Sequence, residues 1–326
     1  MKLQINQQRK LWWSISGTLA ILSILCMVIS LVMFQSPIRL GLDFVGGTRL
    51  QLERNCSIAD CSVPLELGEV RNLLAEQGLE NSGIQILGDE RQALSIRTPS
   101  LSVEERTALQ DQLSEAIGPF DSAKTQIDSV GPLIGQRILV GGLLALLIAF
   151  AGIILYISFR FQWDYAILAI VALFHDVLIT SGVFAFLGLV QGREIDSLFL
   201  VSLLTIAGFS VNDTVVIYDR IRETIKLYPE QPIDITVDNS VNQTLGRSIN
   251  TNLSALLPLI SIFIFGGATL NSFALALIVG FILGSYSSIF VASSLLSWWR
   301  ENHPQAIVPS QPDDLESDEP RSLNRV

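Results

Sequence analysis

Long stretches without charge constrain this chain more than any other feature. From Leu11 to Phe34 there are 24 consecutive uncharged residues, and similar runs return throughout the second half. About 20 apolar residues cross a bilayer core of about 30 Å, so the pattern excludes a soluble globule. Composition agrees: 16% of residues are charged, against about 25% in soluble domains. Lys2, Arg9 and Lys10 precede the first run, as in a signal peptide. Such a peptide has an apolar core of only about 7–15 residues, so the run reads as a retained anchor. Five further spans are expected near residues 133–158, 164–190, 197–219, 245–267 and 271–298.

The basic residues orient these spans. Lys2, Arg9, Lys10, Arg160, Arg220, Arg222, Lys226 and Arg300 all fall on one side, with Arg137 and Arg193 as exceptions. The positive-inside rule makes that side cytoplasmic. The expected layout is a cytoplasmic N-terminus and first helix (1–34), an extracytoplasmic domain (35–131), helices 2–6 (132–299) and an acidic, Pro-rich, disordered cytoplasmic tail (300–326). Both termini would then be cytoplasmic.

The net charge of −10 is unevenly spread. Residues 35–131 carry 15 acids against 8 bases, and residues 300–326 carry 6 against 3. No basic cluster is dense enough for nucleic acid. Two His and three Cys leave too few ligands for a Cys/His zinc site, and no cofactor is expected.

The segment 35–131 reads as a small α+β domain. Leu40–Leu52 suits a strand broken at Gly46-Gly47, and Pro64–Gln77 has helical spacing. Gly83–Leu87 and Ala93–Arg97 suit short strands, and Ser102-x-x-Glu105 is a capping box opening a helix through Ile117. Lys124–Val130 suits a last strand. The order βαββαβ is ferredoxin-like. Cys56 and Cys61 share its first long loop, where an oxidising compartment allows a disulfide; two unpaired thiols are the alternative.

Ionisable groups inside spans carry the functional signal, because a charge at the bilayer centre costs at least about 2.5–3.5 kcal/mol. His175 and Asp176 lie in the third span, Asp213 in the fourth and Arg247 at the start of the fifth. Asp213 sits six residues before Asp219, which places it about 9 Å inside, with Asn212 and Thr214 beside it. There it could load and release a proton. Arg247, Asn250, Thr251 and Ser254 share a helical face, and Arg247 is the expected counter-ion of Asp213. His175 and Asp176 point about 100° apart and are either a relay or helix contacts. Gly280, Gly284 and Ser288 form a small-residue stripe for close helix packing.

Sequence motifs for a phosphate loop, a zinc protease or a serine hydrolase are missing, so an enzyme is not expected. One enzymatic alternative is an intramembrane aspartyl protease using Asp176 and Asp213. Its Gly-x-Gly-Asp context is replaced here by Ser-Val-Asn-Asp.

Five blocks resemble the SecD/SecF family of protein-export membrane proteins, within the resistance-nodulation-division superfamily. They are Gly41-Leu-Asp-Phe-Val-Gly-Gly-Thr48, Asp128-Ser-Val-Gly-Pro132, Phe174-His-Asp-Val177, Phe209–Glu223 and Arg247-Ser-Ile-Asn-Thr251. The resemblance implies six transmembrane helices with a ferredoxin-like extracytoplasmic domain between helices 1 and 2. It further implies a SecF-type partner of SecD that uses the proton-motive force, with the SecYEG channel, to promote translocation and release of preproteins. By the same resemblance Asp213 and Arg247 are the proton-coupling pair. Gly41, Asp43, Gly46, Gly47, Thr48 and Gly131 belong to the signature stretches, which read as a hinge at the membrane surface rather than a ligand site. A half-size exporter of lipids or small molecules on the same fold is the alternative within transport.

Overall fold

The structure is a computed structural model that describes residues 3–303, apart from 59, 60, 62, 63, 81 and 89. The acidic tail from residue 304 onward lies outside the described residues. Among the described residues, six helices are long and apolar enough to cross a membrane. They are α1 (Arg9–Phe34), α5 (Pro132–Arg160), α6 (Trp163–Gln191), α7 (Ser197–Leu227), α8 (Ile233–Phe265) and a last helix built from α9 (Ala268–Tyr286), a π turn (Ser287–Ala292) and α10 (Ser293–Asn302). α7 and α8 outrun their apolar stretches: α8 begins at Ile233, twelve residues before the expected span. The added turns carry Asp234 and Asp238, and Asn6 bonds both, through the Asp234 carbonyl at 2.9 Å and the Asp238 carboxylate at 3.0 Å.

Between α1 and α5 lie α2 (Leu42–Val45), β1 (Gly47–Glu53), α3 (Leu67–Glu76), β2 (Gly83–Leu87), β3 (Ala93–Thr98), α4 (Val103–Ile117) and β4 (Gln126–Val130). The strands form one sheet in the order β2-β3-β1-β4, every pair antiparallel. Strands joined through a helix thus lie one strand apart, the split βαβ arrangement of the ferredoxin-like fold. Alternation explains its core: Leu50, Leu52, Leu94 and Ile96 point to one face and are buried against Val70, Leu74, Leu109 and Leu113 of the two helices. Ser102 and Glu105 close the capping box at the start of α4.

One strand assignment needs correction. The break at Gly46-Gly47 falls where expected, but the segment before it is not strand: residues 42–45 make a helical turn, and β1 starts at Gly47. Gly46 and Gly47 have φ of +77° and +118°, a region L side chains avoid. Their reversal of chain direction ends the turn and launches the strand.

The membrane helices pack through small residues. Ser16, Ser23 and Ser30 of α1, seven apart, are its buried positions, and Gly182 of α6 leaves no room for a Cβ against Ser23. Gly280 abuts Ile206 and Gly284 abuts Ser210 in the same way, so the stripe on α9 seats it against α7.

Candidate functional site

Besides Asp164, which pairs with Arg300 at 2.8 Å at the start of α6, two carboxylates are buried among the membrane helices of the described chain, each with its own set of partners. Asp176 of α6 is wholly buried. His175 Nδ1 lies 2.9 Å from its Oδ1; its Oδ2 accepts from Ser210 Oγ of α7 at 2.6 Å and from Ser287 Oγ of the π turn at 2.7 Å. Asp213 of α7 is 3% exposed. Its Oδ2 accepts from Asn252 Nδ2 of α8 at 2.9 Å and from Ser285 Oγ of α9 at 3.4 Å. Close helix approach at Gly280 and Gly284 makes these short hydroxyl contacts reachable. Thr214 also faces inward, 2.7 Å from Ser288 Oγ.

The expected Arg247–Asp213 ion pair is not formed. Among the described residues, no ion pair within 4 Å involves Arg247, which is exposed on α8. The reason is rotational. Positions 247 and 252 are five residues apart, about 140° around a helix, and it is Ser248 and Asn252 that α8 buries. Asn250, Thr251 and Ser254 share the outward stripe with Arg247, and Asn212 of α7 is exposed as well. Asn252, Ser285, Ser287 and Ser210 are the partners the sequence did not assign.

A second cluster joins the sheet to the bundle, and it contains the signature residues. Gly41 N–H donates to the Ile195 carbonyl at 2.7 Å, and a Cβ on Gly41 would sit 2.6 Å from that oxygen. Asp43 accepts from the backbone N–H and the hydroxyl of Ser197 at 3.0 and 2.5 Å, closing the start of α7. Asp196 caps the same helix through Phe199 N–H, and its burial pushes its carboxyl up from the usual range despite that bond. A Cβ on Gly47 would meet the Thr98 carbonyl at 2.5 Å, and one on Gly46 would meet Pro132. Thr48 is buried, 3.1 Å from Ser129 Oγ, and accepts from Leu101 N–H. Gly131 precedes α5, whose Gly135 lies against the Phe44 carbonyl. Glu194, in the α6–α7 loop, meets Arg97, Arg49 and Arg39 at 2.6, 3.1 and 3.6 Å. These contacts pack the sheet domain closely against the start of α5 and the α6–α7 loop. Cys56 and Cys61 are joined by a disulfide in the β1–α3 loop, their Cα atoms 5.5 Å apart.

Six membrane helices with a ferredoxin-like domain after the first, and buried carboxylates in the third and fourth, define a transporter-type membrane subunit. The model described as "Protein export membrane protein SecD/SecF, C-terminal" matches residues 110–302, and the "SecD/SecF GG Motif" matches residues 31–58. The chain is 53% identical over 314 residues to protein translocase subunit SecF of Synechocystis, covering 94% of this chain and 99% of that one. It is 40% identical to the SecF subunit of Prochlorococcus marinus, covering 91% and 95%. A crystal structure of SecDF from Thermus superposes with a TM-score of 0.77 at 31% identity, over 92% of this chain. This chain spans only 39% of that longer one. The chain belongs to the SecD/SecF family, on its SecF side, and is a translocase component rather than an enzyme.

Proposed function

We propose that this chain, paired with SecD, converts the proton-motive force into movement and release of preproteins emerging from SecYEG. The observation that carries the reading is Asp213, buried in a membrane helix and held by an amide and a hydroxyl rather than by a cation. An ionised carboxylate there is costly and a protonated one is not, so proton binding changes how α7 packs on α8 and α9. One proton moving inward at 100 mV supplies about 2.3 kcal/mol, enough to bias two discrete arrangements of the bundle. Arg247, Asn250, Thr251 and Ser254 form an uncovered polar stripe within the apolar zone, and we assign it to the SecD half. The tight packing of Gly41, Gly47 and Gly135 at the junction would carry the change into the sheet domain.

The layout that accompanies this reading has residues 35–131 on the outer side and both termini in the cytoplasm. The basic residues of that end support it by the positive-inside rule. All five tryptophans, Trp12, Trp13, Trp163, Trp298 and Trp299, gather at the same end and mark it as a membrane interface.

The test is preprotein release from vesicles holding SecD and this chain, after ATP-driven insertion, with and without a proton gradient. Asp213→Asn is expected to abolish the gradient-dependent part while the complex still assembles. Full gradient stimulation in that variant would overturn the reading.

A further inference from the structure

Two helices touch both buried carboxylates. On α7, Ser210 donates to Asp176 and lies three residues before Asp213. On the last helix, Ser285 donates to Asp213 and Ser287 donates to Asp176. Between them, Tyr286 stacks on the His175 ring, with centroids 6.4 Å apart and planes at 28°. The Tyr286 hydroxyl lies 3.0 Å from Ser16 Oγ and donates to the Trp12 carbonyl at 3.0 Å. Ser288 meets Thr214. Four consecutive residues at the mouth of the π turn thus each contact a different buried polar group, and π turns recur at functional positions in helices.

Among the described residues, His175 is the ionisable group in this network that keeps a buried nitrogen without a hydrogen-bond partner. When Asp176 accepts from the ring, Nδ1 carries the hydrogen. Nε2 is then the open nitrogen, and it is buried without a hydrogen-bond partner. The Asp176 oxygens lie within hydrogen-bond distance of His175 Nδ1, Ser210 Oγ and Ser287 Oγ, three groups that can each donate to an ionised carboxylate. A neutral ring beside an ionised carboxylate leaves a net charge of −1 in the bundle, whereas a proton on Nε2 brings the pair to zero.

We propose that His175 and Asp176 form a second proton-binding site, with His175 Nε2 as the atom that takes the proton and the Ser285–Ser288 turn as its link to Asp213. The proposal rests on the proton-coupling reading above. Uptake turns a hydrogen bond from a neutral imidazole into an imidazolium–carboxylate pair; release from the same nitrogen restores it, and no other bond changes. The titratable groups around the pair are Tyr286 from the last helix and Asp213 from α7. α1 presents Ser16 and the Trp12 carbonyl, and α5 presents Phe150 against the neighbouring Phe174. The Arg300–Asp164 ion pair belongs to the start of α6, twelve residues and so about 18 Å away.

The chain has two histidines, so His303→Gln leaves His175 as its one imidazole. The experiment is a nitrogen-15 NMR titration of that single-histidine chain, labelled on the ring and held in lipid nanodiscs, between about pH 5 and 8. His175 is expected to pass from neutral to doubly protonated with the change reported at Nε2. Asp213→Asn is expected to displace the midpoint to lower pH, because a neighbouring negative charge has been removed. Should that variant not assemble, Ser285→Ala tests the same link and is expected to displace the midpoint too. A ring that never protonates in this range overturns the site, and a midpoint indifferent to both substitutions overturns the link. A silent His175 with export still lost in Asp213→Asn removes this proposal and spares the functional reading. A linked titration with export intact in Asp213→Asn does the reverse.

Discussion

The sheet domain and the helical bundle differ in what they admit to the inside. In the sheet domain the core is Leu, Ile and Val, contributed by alternate strand positions and two helix faces. The bundle also buries apolar clusters, among them Phe184, Phe199, Leu203, Ile217 and Ile221, but sets buried serine, threonine and aspartate between them, while many more Leu, Ile, Val and Phe line the outside. Water drives the first arrangement, since apolar area leaves solvent only by going inward. Lipid removes that drive, so bundle helices gain by close backbone approach and by satisfying polar groups. The difference explains why ionisable groups are tolerated in one core and not in the other, and so why the candidate chemistry lies in the bundle.

Deleting and adding methyl groups breaks the two regions in opposite ways. Leu94→Ala, at the fully buried centre of the sheet domain, is expected to cost about 2–5 kcal/mol, read as a lower midpoint for unfolding of the soluble domain in guanidinium. Gly182→Ala adds one methyl where α6 meets Ser23 of α1. Overpacking of this kind costs about 1–3 kcal/mol, and the expected result is a lower thermal midpoint in nanodiscs with the sheet domain unaffected. Alanine for leucine would thus damage one region, and alanine for glycine the other.

The smallest effect lies at the boundary. Asp196 has its carboxyl raised, first by burial. A carboxyl with a raised native value favours the folded state below its unfolded value, and that advantage is lost as pH rises through the native one. Asp196→Asn keeps a good helix cap and removes the ionisation. It is expected to raise the thermal midpoint slightly near neutral pH and to flatten its decline from acidic to neutral pH, measured by scanning calorimetry.

Much of the fold was legible because its signals are local. Uncharged runs place all six membrane helices, and alternation with a capping box places three strands and both sheet-domain helices. The start of β1 was misread because 42–45 has a strand-like composition, while its conformation is set by Gly46 and Gly47 at positive φ. The buried ionisable residues were equally visible, since charge in an apolar run needs no partner to be noticed. Their contacts were not. Asn252 and Ser285 reach Asp213 across 39 and 72 positions of chain, and nothing in the sequence distinguishes those residues from the many other buried hydroxyls and amides. The expected pairing of Arg247 with Asp213 matched their depth but not the rotation of α8. Depth follows from counting residues, whereas rotation is decided by packing.

Glu194 has a mechanical consequence. The sheet domain enters from α1 beside Ile195, leaves into α5 beside Phe44, and is held a third time where one carboxylate gathers arginines from β1, β3 and the segment before α2. The β2 edge is seated there as well, with Gln85 beside Gly192 at the end of α6. A body held along one loop and again at α5 behaves as a stool on its legs, without the freedom of a flag on a pole, so any tilt between α5 and the α6–α7 hairpin must tilt the whole sheet.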